Sequence, residues 1–396
     1  MGIYKILGGA KSGIVYMNHQ KPEEILEQSG YTSRFCGITA LDMYYGKNPG
    51  QILEMETNAD LITLSSLFNS IKFPGEERID AIIPVESEQQ YYIRILDDTG
   101  NGIQTWKPLQ FYYSPSSRRF YDFNDMYTMI KNREQLSAAH IIADPAALDS
   151  WWYRIADAAV LAARYGWSVD KTVLQIPGIQ RKPARLGIGE QRIILIRILE
   201  TQMPGKGFQV LMDSGFIEEH WPLVFSMRGV SQDKDFHPEG DVWDHTFEMF
   251  NYIKKPDPDI GMGILLHDCG KAFSQRQNNN EFDMHAQIGA REAVVFLRDL
   301  NFSGDYIKRV EFLVNSHMLP SHLPSIPVYT VEHIMTNSLF PKLLEIYKCD
   351  ISSSFRDPEG YYRICEHYRK FKKNRKNPFR TIDGKVGRPM SVKRGY

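Results

Sequence analysis

Between His237 and Lys271 the chain reads HPEGDVWDHTFEMFNYIKKPDPDIGMGILLHDCGK, which sets His245 upstream of an adjacent His267-Asp268 pair followed by Cys269, Gly270 and Lys271. Imidazole nitrogens and a carboxylate make a donor set of borderline softness, suited to zinc, manganese, iron, cobalt or nickel. His285, His317 and Asp350 add three more donors, so all six candidates fall between residues 245 and 350. Burying an adjacent His-Asp pair with no partner is costly, which favours a functional reading of His267 and Asp268. For His285 and His317 taken singly, an ordinary half-buried histidine competes with a ligand. For Asp350 the competitor is a helix cap.

The donors need packed helices to bring them together. Val242, Phe247, Met249, Phe250 and Ile253 fit one apolar helix face, and Ile260, Met262, Ile264, Leu265 and Leu266 form an apolar run that ends at His267. His285 precedes the helical stretch AQIGAREAVVFLRDL, His317 closes YIKRVEFLVNSHM, and Asp350 lies in YKCDISSS. Pro256, Pro258 and the PSHLPSIP run mark loops, the latter directly after His317 and carrying an expectedly exposed His322.

With its HDxGK signature this set resembles the HD superfamily of metal-dependent phosphohydrolases. HPEGDVWDHT, HDCGK, HAQIGA and FSGDYIKRVEFLVNSHM also resemble, in order, the HD region of bacterial tRNA nucleotidyltransferases and poly(A) polymerases. The resemblance implies that His245, His267, Asp268 and Asp350 hold one divalent metal, with Asp268 bridging to a second held by His285 and His317. One or two ions are implied, drawn from Mn, Fe, Co, Ni, Zn or Mg. The expected activity is then metal-dependent phosphohydrolysis, as a phosphodiesterase or phosphatase, of a nucleotide or an RNA 3′ end. In that reaction the metal lowers the pKa of water, Asp268 orients it, and Lys271 neutralises phosphate charge. His237, on a loop before Pro238, is the candidate for protonating the leaving group.

Nearer the N-terminus, PEEILEQSGYTSRFCGITALDMYYGKNPGQILEMETNADLITLSSLF is similar to the opening helix, strand and glycine motif of the same transferases. Gly37, Asp42 and Gly46 stay in register, while Ile38 and Leu41 replace a glycine and an arginine. A two-metal polymerase needs carboxylates at i and i+2 on one strand, where both point to one face. That pair falls on Gln51-Ile52-Leu53 or Ile52-Leu53-Glu54; Glu54 and Glu56 have the spacing but are displaced. Gln104-Thr105-Trp106-Lys107 stands where the third carboxylate is expected, and Asp80 is a spare acid. The head is therefore expected to be catalytically dead. GGAKSG at Gly8–Gly13 lacks the order of a phosphate loop. RIADAAVLAARYGWSVD resembles the family's neck helix, with Trp151, Trp152 and Tyr153 expected to pack and template arginines replaced by Asp157 and Val160.

These elements make an α+β protein: a small mixed nucleotidyltransferase-like α/β head over 1–135, an all-α neck over 136–225, an all-α HD domain over 226–370, and a basic tail over 371–396. At 396 residues, 42% hydrophobic and 24% charged, the composition is globular and exceeds one core. With neither a membrane span nor a secretory pattern in view, cytoplasmic residence is expected. Cys36, Cys269, Cys349 and Cys365 form no CxxC, and the two that adjoin candidate ligands are expected to pack. Net charge is −1, but from Arg363 onward twelve Lys and Arg face Glu366 and Asp383, leaving about +10 there and about −11 elsewhere. Arg369 to Lys376 can track the phosphates of tRNA or form a solvated extension. A nucleotide or RNA phosphate is the expected substrate. The alternative to hydrolysis is a tRNA nucleotidyltransferase of the CCA-adding kind, or a non-catalytic tRNA-binding relative.

Overall fold

The computed structural model describes residues 20–75, 79–85, 89–96, 111–122, 151–170, 174, 183–232, 240–274, 282, 284–354, 358–377, 381–382 and 385. His237, GGAKSG and Gln104–Lys107 lie outside them. The chain divides into two compact units, Met1–Tyr127 and Thr128–Tyr396.

The first unit runs α1 (Pro22–Gln28), β1 (Ser33–Cys36), α2 (Gly37–Tyr44), β2 (Ile52–Thr57), α3 (Leu61–Leu67), β3 (Ala81–Pro84), β4 (Gln90–Ile95), β5 (Phe111–Ser114) and β6 (Arg119–Asp122). Pro22 opens α1 with its ring-fixed φ, and Glu23 and Glu24 occupy the positive first turn. The six strands lie in the order β3-β4-β2-β1-β5-β6, antiparallel except for the β2–β4 pair. Period-two alternation sorts the faces. Phe35, Met55, Ile93 and Ala81 share register positions and are buried. On the opposite face Arg34, Glu56 and Arg94 lie side by side, with Glu54 beside Tyr92.

The second unit is helical in its described residues apart from isolated bridges. Its main helices are α4 (Trp151–Tyr165), α5 (Ile188–Leu199), α6 (Pro204–Asp213), α7 (Phe216–His220), α8 (Val242–Met249), α9 (Pro258–Leu266), α10 (His285–Asp299), α11 (Gly304–Ser316), α12 (Val328–Met335), α13 (Phe340–Ser353) and α14 (Glu359–Arg375). The helices expected for the neck and those that follow belong to this one unit. Trp151, Trp152 and Tyr153 are each 6% exposed, so they pack in its core. The whole is α+β, a six-stranded mixed sheet with a mostly helical remainder. Among the described residues no helix is long and apolar enough to cross a membrane.

Helix α9 is the centre of the helical packing. Asp257 caps it by accepting from the N–H groups of Asp259 and Ile260, and Pro258 follows at the first position. Residues 259–266 are buried all round, so the helix is enclosed by neighbours beyond its first residue. A Cβ on Gly263 would stand 2.5 Å from Ile346 Cδ1 of α13, which shows how closely the two helices approach. Salt bridges of Lys342 to Asp257 and Asp259, and of Arg309 to Asp259, tie α13 and α11 to its N-terminus.

Candidate functional site

The apolar run of α9 ends at His267, and the chain turns through a short 3-10 segment, Cys269–Ala272. A Cβ on Gly270 would lie 2.0 Å from the His285 carbonyl oxygen and 2.5 Å from Gly289 N. Only glycine lets this turn sit against the start of α10. That contact carries Asp268 towards His285, while α8, α11 and α13 supply His245, His317 and Asp350.

Backbone carbonyls fix the tautomers. His267 Nδ1–H donates to Ile264 O at 2.8 Å, His285 Nδ1–H to Phe282 O at 3.0 Å, and His317 Nδ1–H to Val314 O at 2.7 Å. A carbonyl can only accept, so each Nδ1 bears the proton and each Nε2 is left with its lone pair. His245 follows the same pattern through Ser353, whose Oγ donates to Asp350 O and lies 3.4 Å from His245 Nδ1.

The four Nε2 atoms converge on the carboxylates. His245 Nε2 lies 3.1 Å from Asp350 Oδ1, and His267 Nε2 lies 3.1 Å from Asp268 Oδ2. His285 and His317 Nε2 are 3.4 and 3.5 Å from Asp268 Oδ1 and 3.3 Å from each other. The sequence thus delivers two donor groups that share Asp268: His245, His267 and Asp268, and Asp268, His285 and His317. Asp350 joins the first through His245.

Lone pairs facing lone pairs repel unless a cation lies among them. Protonating the rings would instead crowd several positive imidazoles into one buried space. His267 Nε2 is fully buried without a hydrogen bond, although a carboxylate oxygen is near. The donor set, carbonyl-held Nδ1–H groups and inward Nε2 atoms fit a divalent metal. Burial alone would raise the Asp268 carboxyl, yet the adjacent His267 ring and the Lys271 ammonium hold it well below the usual range. Asp350 is likewise held low against its burial by His245 and His267. Burial pushes the His285 imidazole down, with His317 and Lys271 adding to the effect. The site opens at Asp350, whose side chain is 23% exposed.

Lys271 Nζ bridges Asp268 Oδ2 at 2.7 Å and Gln232 Oε1 at 2.6 Å. It is thus anchored at the edge of the donor set. Gln232 was not legible as a site residue because it lies in the connection RGVSQDKDF. Ser353 was legible in principle, three residues beyond Asp350 and so on the same helix face. Cys269 and Cys349 are buried outside the donor groups, and burial pushes the Cys349 thiol up to about 12. His322 is exposed and contacts Ser321.

The sheet presents a second polar region. Ile52 and Leu53, at the start of the strand where a two-metal polymerase carries its carboxylate pair, are apolar and only 6% and 5% exposed. Glu54 and Glu56 share one face of β2. Glu54 Oε2 would lie 3.1 Å from a Cβ on Gly37, at the start of α2. Glu56 is held by Arg34 Nε at 2.8 Å, and the Arg34 guanidinium lies 4.2 Å from the Tyr112 ring centre. This pair is not a preformed two-metal site, because one carboxylate already has its cation. Asp80 accepts from Ile95 N at 2.8 Å, a contact that secures β4.

No protein-family model matches the chain. It is 26% identical over 178 residues to the multifunctional CCA protein of Xanthomonas campestris pv. campestris, covering 43% of this chain and 40% of that protein. It is 31% identical over 112 residues to the multifunctional CCA protein of Shewanella denitrificans, covering 28% and 27%. The chain thus spans less than half the length of the curated relatives it matches. The solved Bacillus stearothermophilus CCA-adding enzyme in complex with CTP superposes with a TM-score of 0.51 at 13% identity, over 90% of this chain and 84% of that one. These findings overturn the expectation of an HD-superfamily phosphohydrolase, since the relatives are CCA proteins and the shared fold is that of a CCA-adding enzyme. A histidine-aspartate constellation that could hold a metal does not by itself name a reaction.

Proposed function

We propose that the chain acts at the 3′ end of tRNA as a nucleotidyltransferase of the CCA-adding kind, with a divalent-metal centre in its helical unit. The observation that carries this reading is the 178-residue similarity to a multifunctional CCA protein, supported by the fold shared with a CCA-adding enzyme. In this reading Glu54, on one face of β2, would take the proton of the attacking 3′ hydroxyl as pyrophosphate leaves the incoming nucleotide. Arg94 flanks β2 on the same face and would supply positive charge for a triphosphate, while Arg34 neutralises Glu56.

In the helical unit His245, His267, Asp268, His285, His317 and Asp350 would hold one or two divalent ions. Such a centre supplies concentrated positive charge for a phosphate oxygen. Lys271 extends that charge to the rim, while Gln232 holds it in place.

A second reading, a tRNA-binding relative that transfers nothing, is favoured by the Arg34–Glu56 ion pair. Both readings require recognition of tRNA. Equilibrium binding should therefore favour a tRNA lacking its terminal CCA over an RNA hairpin of equal length and phosphate count. Equal affinity for the two would remove the proposal.

A further inference from the structure

Helix α14 carries a surface separate from the metal centre. Tyr368, Phe371, Lys372, Arg375 and Lys376 recur at the spacing i, i+3, i+4, i+7, i+8, which places them on one helix face. The chemistry of that face changes along the axis. Phe371 is 3% exposed, and the Tyr368 ring packs on Phe340 with centroids 4.6 Å apart. Lys372, Arg375 and Lys376 are exposed beyond them.

Between this face and the α12–α13 connection lies a groove of about 580 Å³, whose far wall includes Thr336, Asn337 and Ser338. No acidic side chain lines it. Arg375 does lie 3.6 Å from Glu332, but the two side chains are 56% and 38% exposed, so a phosphate can displace that pair. Lys372 Nζ stands 5.5 Å from the Tyr368 ring centre. Helix α13 starts at the groove and runs to Ser353, so its positive end adds to the field there. Cations near the end of α14 also complement its own dipole. That role does not account for three of them overhanging a groove lined by hydroxyl, amide and aromatic groups.

We propose that this groove binds the sugar-phosphate backbone of single-stranded RNA, with phosphates on Lys372, Arg375 and Lys376 and a base against Tyr368. Charge complementarity and the aromatic floor select this occupant, since backbone tracking with base stacking is how single strands are held. The inference rests on the RNA-directed function proposed above. Asp350, at the open side of the metal centre, lies farther along α13 from Phe340 by about 15 Å at the rise of an α-helix. One strand can therefore reach both places.

The test measures binding of a labelled tRNA lacking CCA, and of a twelve-nucleotide oligo(A), across a salt series. The variant K372Q/R375Q/K376Q is compared with wild type and with K254Q/K255Q/K373Q, which removes as many exposed charges outside the groove. The groove variant should weaken oligo(A) binding at least about tenfold near 0.1 M salt and flatten the log–log salt slope by about two. The control should retain most of both. Equal loss in the two variants, or no loss in the groove variant, overturns the groove. If oligo(A) binds through the groove while tRNA gains nothing over it, the groove stands and the tRNA-directed function falls. If wild type binds neither RNA, both fall. Competition by polyglutamate as effective as that by RNA would show a site that reads charge alone and would overturn the RNA occupant.

Discussion

His220 should make the helical unit acid-sensitive in a way that one substitution removes. Its Nδ1–H donates to Phe216 O at 3.1 Å, and its Nε2 accepts from Leu186 N–H at 3.0 Å. The ring stacks on Phe216 at 4.2 Å and meets the edge of Trp152 at 5.0 Å. A second ring proton would point at the Leu186 N–H, and burial, with a smaller contribution from Arg185, pushes the imidazole down from 6.5 to about 4. Since the folded value lies below the unfolded one, the unfolded chain takes up the proton first as pH falls. The stability due to neutral His220 is therefore complete above 6.5 and is lost as pH falls towards 4. The full loss is about 3 kcal/mol, of which about 2 kcal/mol has gone by pH 5. Urea unfolding followed by tryptophan fluorescence, near pH 7.5 and near pH 5, measures it. H220Q offers a donor and an acceptor but does not titrate, so its loss should be smaller than that of wild type by about 2 kcal/mol. Other groups, His285 among them, contribute equally to both proteins and cancel. Identical losses in wild type and H220Q would refute the assignment.

Protein purified without chelator should carry divalent metal, and H267A and H285A should each lower its content by metal analysis; stoichiometric metal in both variants contradicts the donor assignment. If wild type holds metal at one hundred times its dissociation constant, chelation should cost about 2.7 kcal/mol of stability, read as a fall in Tm. D268N leaves the Lys271 ammonium, 10% exposed, without its carboxylate, and should destabilise metal-free protein by about 3–5 kcal/mol in urea unfolding. G270A drives a methyl into the His285 carbonyl and Gly289 N, so thermal unfolding should show a loss above about 3 kcal/mol. Wild-type stability in G270A would mean that the turn packs less tightly than described.

The donor set was legible because a His-Asp pair closing an apolar run demands a partner, and the helix periods around His245, His285 and His317 were strong enough to place them. Donor chemistry pointed to a group that could hold a metal ion, but it did not point to the reaction, since similar ligands serve many chemistries. Lys271 was expected to meet a phosphate and is found on Asp268 and Gln232; the partner from the preceding connection had no pattern to announce it. In the head, strands of four to six residues carry little periodic signal, and nothing in the sequence pattern announced their order in the sheet. The basic run from Arg369 was set largely in a tail, yet α14 extends to Arg375. Its apolar stripe through Ile364, Tyr368 and Phe371 was present in the sequence but masked by the density of charge around it.

The most direct measurement is extension of a tRNA lacking its 3′ CCA, incubated with labelled CTP, ATP and magnesium and resolved at single-nucleotide length. Wild type should add nucleotides, and E54Q, which keeps the side-chain length beside Gly37 but cannot accept the proton, should add them at least about a hundredfold more slowly. No extension by wild type that nonetheless binds the tRNA would contradict transfer and leave the binding protein as the surviving reading; extension unchanged in E54Q would contradict the role given to that carboxylate.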